Sequence, residues 1–162
     1  MRPLFIALLL ALALPVCAQD ATFSVRLLAP ETALIAAQAA LRKCRDSGWQ
    51  VAVAVVDRSG VAQVMLRDRY AGAHTPRTAA GKAWTAVSFR TPTAELARMS
   101  QPGQPQNGIR NLPHAVMVGG GLLIEAQGSI LGGIGVSGAP GGDADDACAR
   151  AGIDAIRDKI DF

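Results

Sequence analysis

Eight glycines lie between Gly119 and Gly138, and with them come three short apolar runs, Ala115–Val118, Leu122–Glu125 and Ile130–Ser137. Runs this short, joined by tight glycine turns, predict an antiparallel meander. Upstream, Val51–Val56 and Val61–Leu66 are β-branched runs separated by Asp57-Arg58-Ser59-Gly60, which is turn chemistry and predicts a hairpin. Residues 30–47 carry a helical stripe, Leu34, Ala37, Leu41 and Cys44, with Pro30 suited to the first turn and Gly48 to the end. A second helix is expected over 75–89, with Ala79, Ala83, Trp84 and Val87 on its apolar side. A short third runs from Thr93 to Met99. A last helix opens at Asp143, Asp145 and Asp146 and ends near Lys159, charges that complement a helix dipole.

The resulting order is α-β-β-α-(α)-β-β-β-α. It lacks the regular strand–helix alternation of a parallel sheet. The expectation is an α+β domain with one mainly antiparallel sheet of about five strands, flanked by helices. Residues 100–113 hold Pro102, Gly103, Pro105, Asn107, Gly108 and Pro113, and read as a long loop. Nothing repeats internally, so residues 19–162 read as one domain.

The first 18 residues stand apart. Arg2 precedes an unbroken apolar run of 11 residues, Leu4–Leu14, and Val16-Cys17-Ala18 closes it with a small residue. A bilayer span needs about 20 apolar residues. The pattern is that of a secretory signal, cleaved after Ala18, which leaves no membrane span and implies a periplasmic or secreted protein. Lipidation at Cys17 is the minor alternative, since Val16 stands where a lipobox has a smaller residue. Cleavage leaves Cys44 and Cys148. In an oxidising compartment they are candidates for a disulfide closing a loop of about 100 residues; two independent buried thiols are the alternative.

Composition narrows the function. Of 162 residues 50% are hydrophobic and 18% charged, too apolar for disorder. The net charge of +3 is scattered rather than clustered, which argues against nucleic acid. Gly133-Ile134-Gly135-Val136-Ser137-Gly138 spells GxGxxG, yet its glycines fall within a strand run and only one helix follows. A dinucleotide site needs a further parallel strand, so these glycines read instead as places where a helix or ligand approaches the sheet. With two histidines, a three-histidine zinc site is impossible. Ser137 lacks the second glycine of a nucleophile elbow.

One stripe remains. His74, Thr78 and Lys82 are spaced four apart and share a helix face, which is either a solvated face or a surface for an anionic ligand. Arg67, Asp68, Arg69 and Tyr70 lead into it from the hairpin. His114 borders the loop and the meander.

Taken together, Val51–Gly60 (VAVAVVDRSG), Gly81–Ala86 (GKAWTA), Gly119–Ile124 and Gly132–Gly138 (GGIGVSG) followed by Asp143, Asp145 and Asp146 resemble the GlcG/HbpS-like family of haem-binding, haem-degrading proteins. The resemblance runs over residues 30–160, in the same order. It implies an α+β fold, homo-oligomers and a tetrapyrrole ligand, here haem. Axial residues differ between members, so none is carried over. The iron ligands on offer are His74, His114, Tyr70, Met65 and Met117, with His74 first because it starts a helix beside the polar stripe. Both methionines read as core. Lys82, Arg67 and Arg69 are expected to meet propionates. No C-x-x-C-H motif is present, so the haem is expected to be non-covalent. The functional expectation is an exported haem-binding protein used for sequestration, sensing or slow degradation. A family link to glycolate oxidation supplies the alternative of an enzyme on a 2-hydroxy or 2-oxo acid, and a ligand-free oligomeric accessory protein is the third.

Overall fold

A computed structural model describes residues 21–161. The expected signal segment, its cleavage point at Ala18 and Cys17 lie outside the described residues. The chain forms α1 (Pro30–Asp46), β1 (Ala52–Asp57), β2 (Ala62–Arg67), α2 (Thr75–Phe89), α3 (Thr93–Met99), β3 (Gly121–Ala126), β4 (Ser129–Ser137), α4 (Gly142–Asp154) and α5 (Arg157–Ile160). The strands make one antiparallel sheet in the order β2-β1-β4-β3. This is the expected α+β architecture, with four strands rather than five among the described residues.

The missing strand is Ala115–Val118. The backbone N–H of Val116 donates to Thr85 Oγ1 on α2 at 2.9 Å rather than to a strand carbonyl. His114 before the run and Gly120 after it both have left-handed backbones, with φ of 69° and 113°. The run between these two turns lies along α2 instead of joining the sheet.

The two hairpins follow from local chemistry. At the β1–β2 turn, Asp57 Oδ1 accepts the N–H groups of Ser59 and Val61 at 2.8 and 3.0 Å. At the β3–β4 turn, Gln127 and Gly128 both have positive φ, as a two-residue hairpin of this twist requires.

Side chains alternate across the sheet and give it two unlike faces. Val51, Val53, Val55, Ile134 and Val136 join the larger core beneath α1 and α4. On the opposite face, Ala52 and Ala54 pack with Ala79, and Val56 with Ala83 and Val87, all on α2. Gly133 and Gly135 pair with Val56 and Ala54 on this second face. A Cβ on Gly135 would lie 2.0 Å from the Ala79 carbonyl oxygen. The strand glycines therefore seat α2 directly on the sheet, which accounts for the GxGxxG string without a nucleotide.

On the first face, α1 meets α4 through small residues. Ala33, Ala36, Ala37 and Ala40 are fully buried, and a Cβ on Gly152 would lie 2.7 Å from the Ala36 carbonyl oxygen. Leu34, expected on the buried stripe, is exposed, because the alanines hold the helix–helix seam and leave no room for a longer side chain there. Cys44 and Cys148 form a disulfide across the same seam, with Cα atoms 5.6 Å apart. The last helix breaks at Ala155–Ile156, so the run expected to reach Lys159 is two helices, α4 and α5. The 100–113 loop is pinned back onto α3, where Arg110 donates to the carbonyls of Ser100 and Ala97 at 2.6 and 2.8 Å.

The disulfide closes a loop 104 residues long. A cross-link of that span restricts the unfolded chain strongly. Replacing both cysteines by alanine is expected to lower the unfolding free energy by about 2–5 kcal/mol, read from urea denaturation. An unchanged urea midpoint would show that the α1–α4 seam holds without it.

Candidate functional site

Helix α2 carries the polar residues that matter, and they separate along its length. Lys82, at mid-helix, is only 2% exposed. Its Nζ donates to Asp145 Oδ2 at 2.6 Å and to the Val136 carbonyl at 2.9 Å. Asp145 Oδ1 accepts the Ala139 N–H at 3.0 Å, so both carboxylate oxygens are engaged. Next to it, Asp146 Oδ1 accepts the Gly120 N–H at 2.6 Å, and the Gly120 carbonyl takes the N–H of Val136 at 2.8 Å. Gly120 is required here: a Cβ would come within 2.6 Å of Asp145 Cβ and 2.9 Å of Lys82 Nζ. The face shared by His74, Thr78 and Lys82 is thus not uniformly solvated. Lys82 is committed to internal partners and is not free to meet a propionate.

Asp68, also buried, is held by Arg45 from the end of α1, whose Nε lies 2.9 Å from both carboxylate oxygens and whose Nη2 lies 2.6 Å from Oδ1. The hydrogen bond from Arg45 to Asp68 raises the guanidinium above its ordinary value. Arg67 donates through Nη2 to the Ala71 carbonyl. These contacts fasten the stretch between β2 and α2.

Two cavities flank the first turns of α2. The larger, about 920 Å³, lies between α2, the β1–β2 turn and the 114–116 segment. Its walls include His74, Arg77, Trp84 and His114 with Ala80 and Val116. Trp84 lies against Gly60, where a Cβ would be 2.5 Å from Cδ1, and meets His114 edge to face with ring centres 6.2 Å apart. His114 holds a left-handed backbone, a conformation that costs a non-glycine residue energy and tends to cluster at binding sites. The smaller cavity, about 360 Å³, lies between α2 and the Gly138–Gly142 loop, with Lys82, Ser137 and Asp145 in its wall. His74 and Thr78 line both cavities.

Of the residues singled out in the sequence, His74 and His114 share the larger cavity, and Lys82 lies in the wall of the smaller one. Tyr70 is 80% exposed and Arg67 is tied to its own loop; neither lines either cavity. Met117 is buried as expected, whereas Met65, expected in the core, is exposed on β2, which is an edge strand with no neighbour to cover it. Arg77 is absent from the sequence-predicted site residues, and Trp84 is among them only as an apolar-face residue of α2. Arg77 had a signal, since it lies three residues after His74 on the same helix. The Lys82–Asp145 pair had none, because its partners are 63 residues apart.

The sequence model described as "Haem degrading protein HbpS-like" matches residues 28–154. The chain belongs to the HbpS-like family. It is 39% identical to HbpS of Streptomyces reticuli, solved as a double mutant, over 89% of this chain and 97% of that one, with a TM-score of 0.79. A crystal structure of a PduOC:haem complex is 31% identical over 80% of this chain and 95% of that chain, with a TM-score of 0.76. The corrinoid adenosyltransferase PduO of Citrobacter freundii is 34% identical over 103 residues, which is 62% of this chain and 31% of that enzyme. This chain therefore corresponds to about a third of that enzyme's length.

Burial raises the Asp145 carboxyl above its ordinary value, against the opposing pull of Lys82 and the Ala139 N–H. A carboxyl raised on folding contributes stability below the ordinary aspartate range and loses it as the pH climbs through the raised value. The stability advantage of the wild type over Asp145→Asn is therefore expected to shrink from acid towards neutral pH, read as the difference in urea midpoints. An advantage that grows over the same range would show that Lys82 outweighs burial.

Proposed function

We propose that this HbpS-like protein is exported and binds haem non-covalently in the larger cavity. The observation that carries the reading is that His74 and His114 meet in one cavity walled by Trp84, Ala80 and Val116. Its volume of about 920 Å³ lies within the range of about 300–1,000 Å³ usual for ligand pockets. The donor set fits the group: imidazoles ligate haem iron, and apolar walls accept the macrocycle. His74 is the first choice of iron ligand and His114 the second. Arg77 takes the role expected of Lys82, meeting a propionate by a charge-assisted hydrogen bond. Bound haem would supply redox-active iron; the chain supplies the ligand, the apolar wall and the cation. Sequestration, sensing and slow degradation all begin with this binding step.

Haem titrated into the protein is expected to give a saturable Soret band at one haem per chain. His74→Ala should displace or abolish it, and Tyr70→Phe should leave it unchanged. A band that never saturates, or one unmoved by both His74→Ala and His114→Ala, would remove the cavity from consideration.

The Cys44–Cys148 disulfide supports export, since such bonds persist in oxidising compartments. The exposed side chains of Phe23, Val25 and Leu27, on the extended segment before α1, supply apolar surface for self-association. Protein recovered from the exported fraction is expected to begin at Gln19 by intact mass and to sediment as more than one copy. A retained Met1 would overturn the first expectation and a monomer the second.

A further inference from the structure

We infer that the open edge of β3 is the seam at which a second copy of this chain docks, antiparallel and related by a two-fold axis, so that the two sheets become one; this rests on the self-association proposed above and supplies its surface. β3 is an outer strand of the sheet. Only its start is covered, where Thr93 Oγ1, from α3, accepts the N–H of Gly121 at 2.9 Å. The Gly120 carbonyl faces inward to the N–H of Val136, so alternation along β3 turns the backbone groups of Gly121, Leu123 and Glu125 outward. Among the described residues nothing beyond the sheet bonds the N–H or C=O of Leu123 or Glu125. A bare edge of this kind is a template for another strand. A cleft of about 480 Å³ opens beside it, between the α2–α3 corner at Arg90 and Pro92 and the stripe of α4 at Arg150, Ile153 and Asp154. It shares no residue with either cavity at the start of α2.

The charges beside the edge decide the occupant. Leu123 packs with Val56, Ala83 and Val87 beneath α2, and Glu125, two residues on, shares that face. Arg90, which ends α2, flanks the same face. Neither Arg90 nor Glu125 has an ion-pair partner among the described residues. Arg90 stands near the Gly121 end, because Thr93 follows it closely and bonds that residue. Glu125 lies four residues further along the strand, about 13 Å away. A two-fold axis through Ile124 sets Leu123 opposite Glu125 of the second copy, and each such pair exchanges two backbone hydrogen bonds. The same axis carries each Glu125 carboxylate to the Arg90 end of its neighbour. On the other face, Arg150, Ile153 and Asp154 share one stripe of α4. Arg150 reaches Asp146 of its own chain only at 3.9 Å. Across the axis it meets Asp154 of the second copy, a carboxylate held within its own chain only by the exposed Arg157. Half-buried Pro92, Leu123 and Ile153 give the seam its apolar centre. The surface thus complements itself, whereas a wholly acidic or wholly basic strand would leave one sign unpaired.

The test follows the full protein by sedimentation velocity, with Glu125→Arg, Arg90→Glu and the two combined; both positions are exposed, so the fold tolerates the exchange. Each single reversal sets like charges together and should weaken self-association more than about tenfold. The double exchange should restore it. Amide hydrogen exchange of the wild type supplies a readout that needs no variant: Leu123 and Glu125 should exchange as slowly as the amides of the inner strand β1. Association unmoved by either reversal, no recovery in the double exchange, or fast exchange at Leu123 and Glu125 overturns the proposal and leaves the segment at Phe23, Val25 and Leu27 as the seam. A wild type that sediments as a monomer overturns the proposal together with the self-association reading.

Discussion

The ion pair between Lys82 and Asp145 joins two helices that lie on opposite faces of the sheet. Lys82 reaches from α2, Asp145 from the first turn of α4, and they meet beyond the end of β4 at 2.6 Å. Both charges are almost fully removed from water. Such a pair is expensive to desolvate and holds its place only with every remaining donor and acceptor satisfied. Here the Val136 carbonyl, the Ala139 N–H and, through Asp146, the Gly120 N–H complete it. One network thereby sets where α2, α4, the end of β4 and the turn before β3 stand relative to each other. Both cavities are consequences of that placement, since each has α2 for one wall.

The glycines of β4 serve the same end by a steric route. Gly133 and Gly135 leave the sheet without side chains beneath α2, and the helix backbone comes down to contact distance. A helix seated that close can send a lysine past the strand end to a buried partner. It also brings Trp84 against the β1–β2 turn and lines up Thr85 to hold the 114–116 segment. Close packing is what turns an irregular, unpaired segment into the second wall of the larger cavity. On the other face alanines and Gly152 bring α1 and α4 equally close, and the disulfide fastens that seam.

Function divides along α2 in step with its surroundings. Its first turn, with His74, Arg77 and Thr78, remains open to cavities. Its middle is buried and structural. The polar stripe that looks continuous in sequence is thus two things: an accessible end suited to ligands and a buried lysine that maintains the fold. Asp68 shows the same division, since its contact with Arg45 makes it a fastener rather than a ligand.

Local periodicity and turn chemistry were enough to read α2 and α3 to their observed ends, both hairpins, and the overall α+β order. Those features depend on neighbours within a few residues, whose chemistry is visible in the string. The run at 115–118 looked like a strand because apolar residues between turns carry no record of which surface they will meet. Leu34 looked buried because a helical stripe shows spacing, not how near the opposing helix comes. Lys82 with Asp145 and His74 with His114 are pairings across long stretches of chain. Only the folded arrangement could bring them together, because burial, partner choice and cavity shape are set by packing between elements rather than by any residue's own preferences.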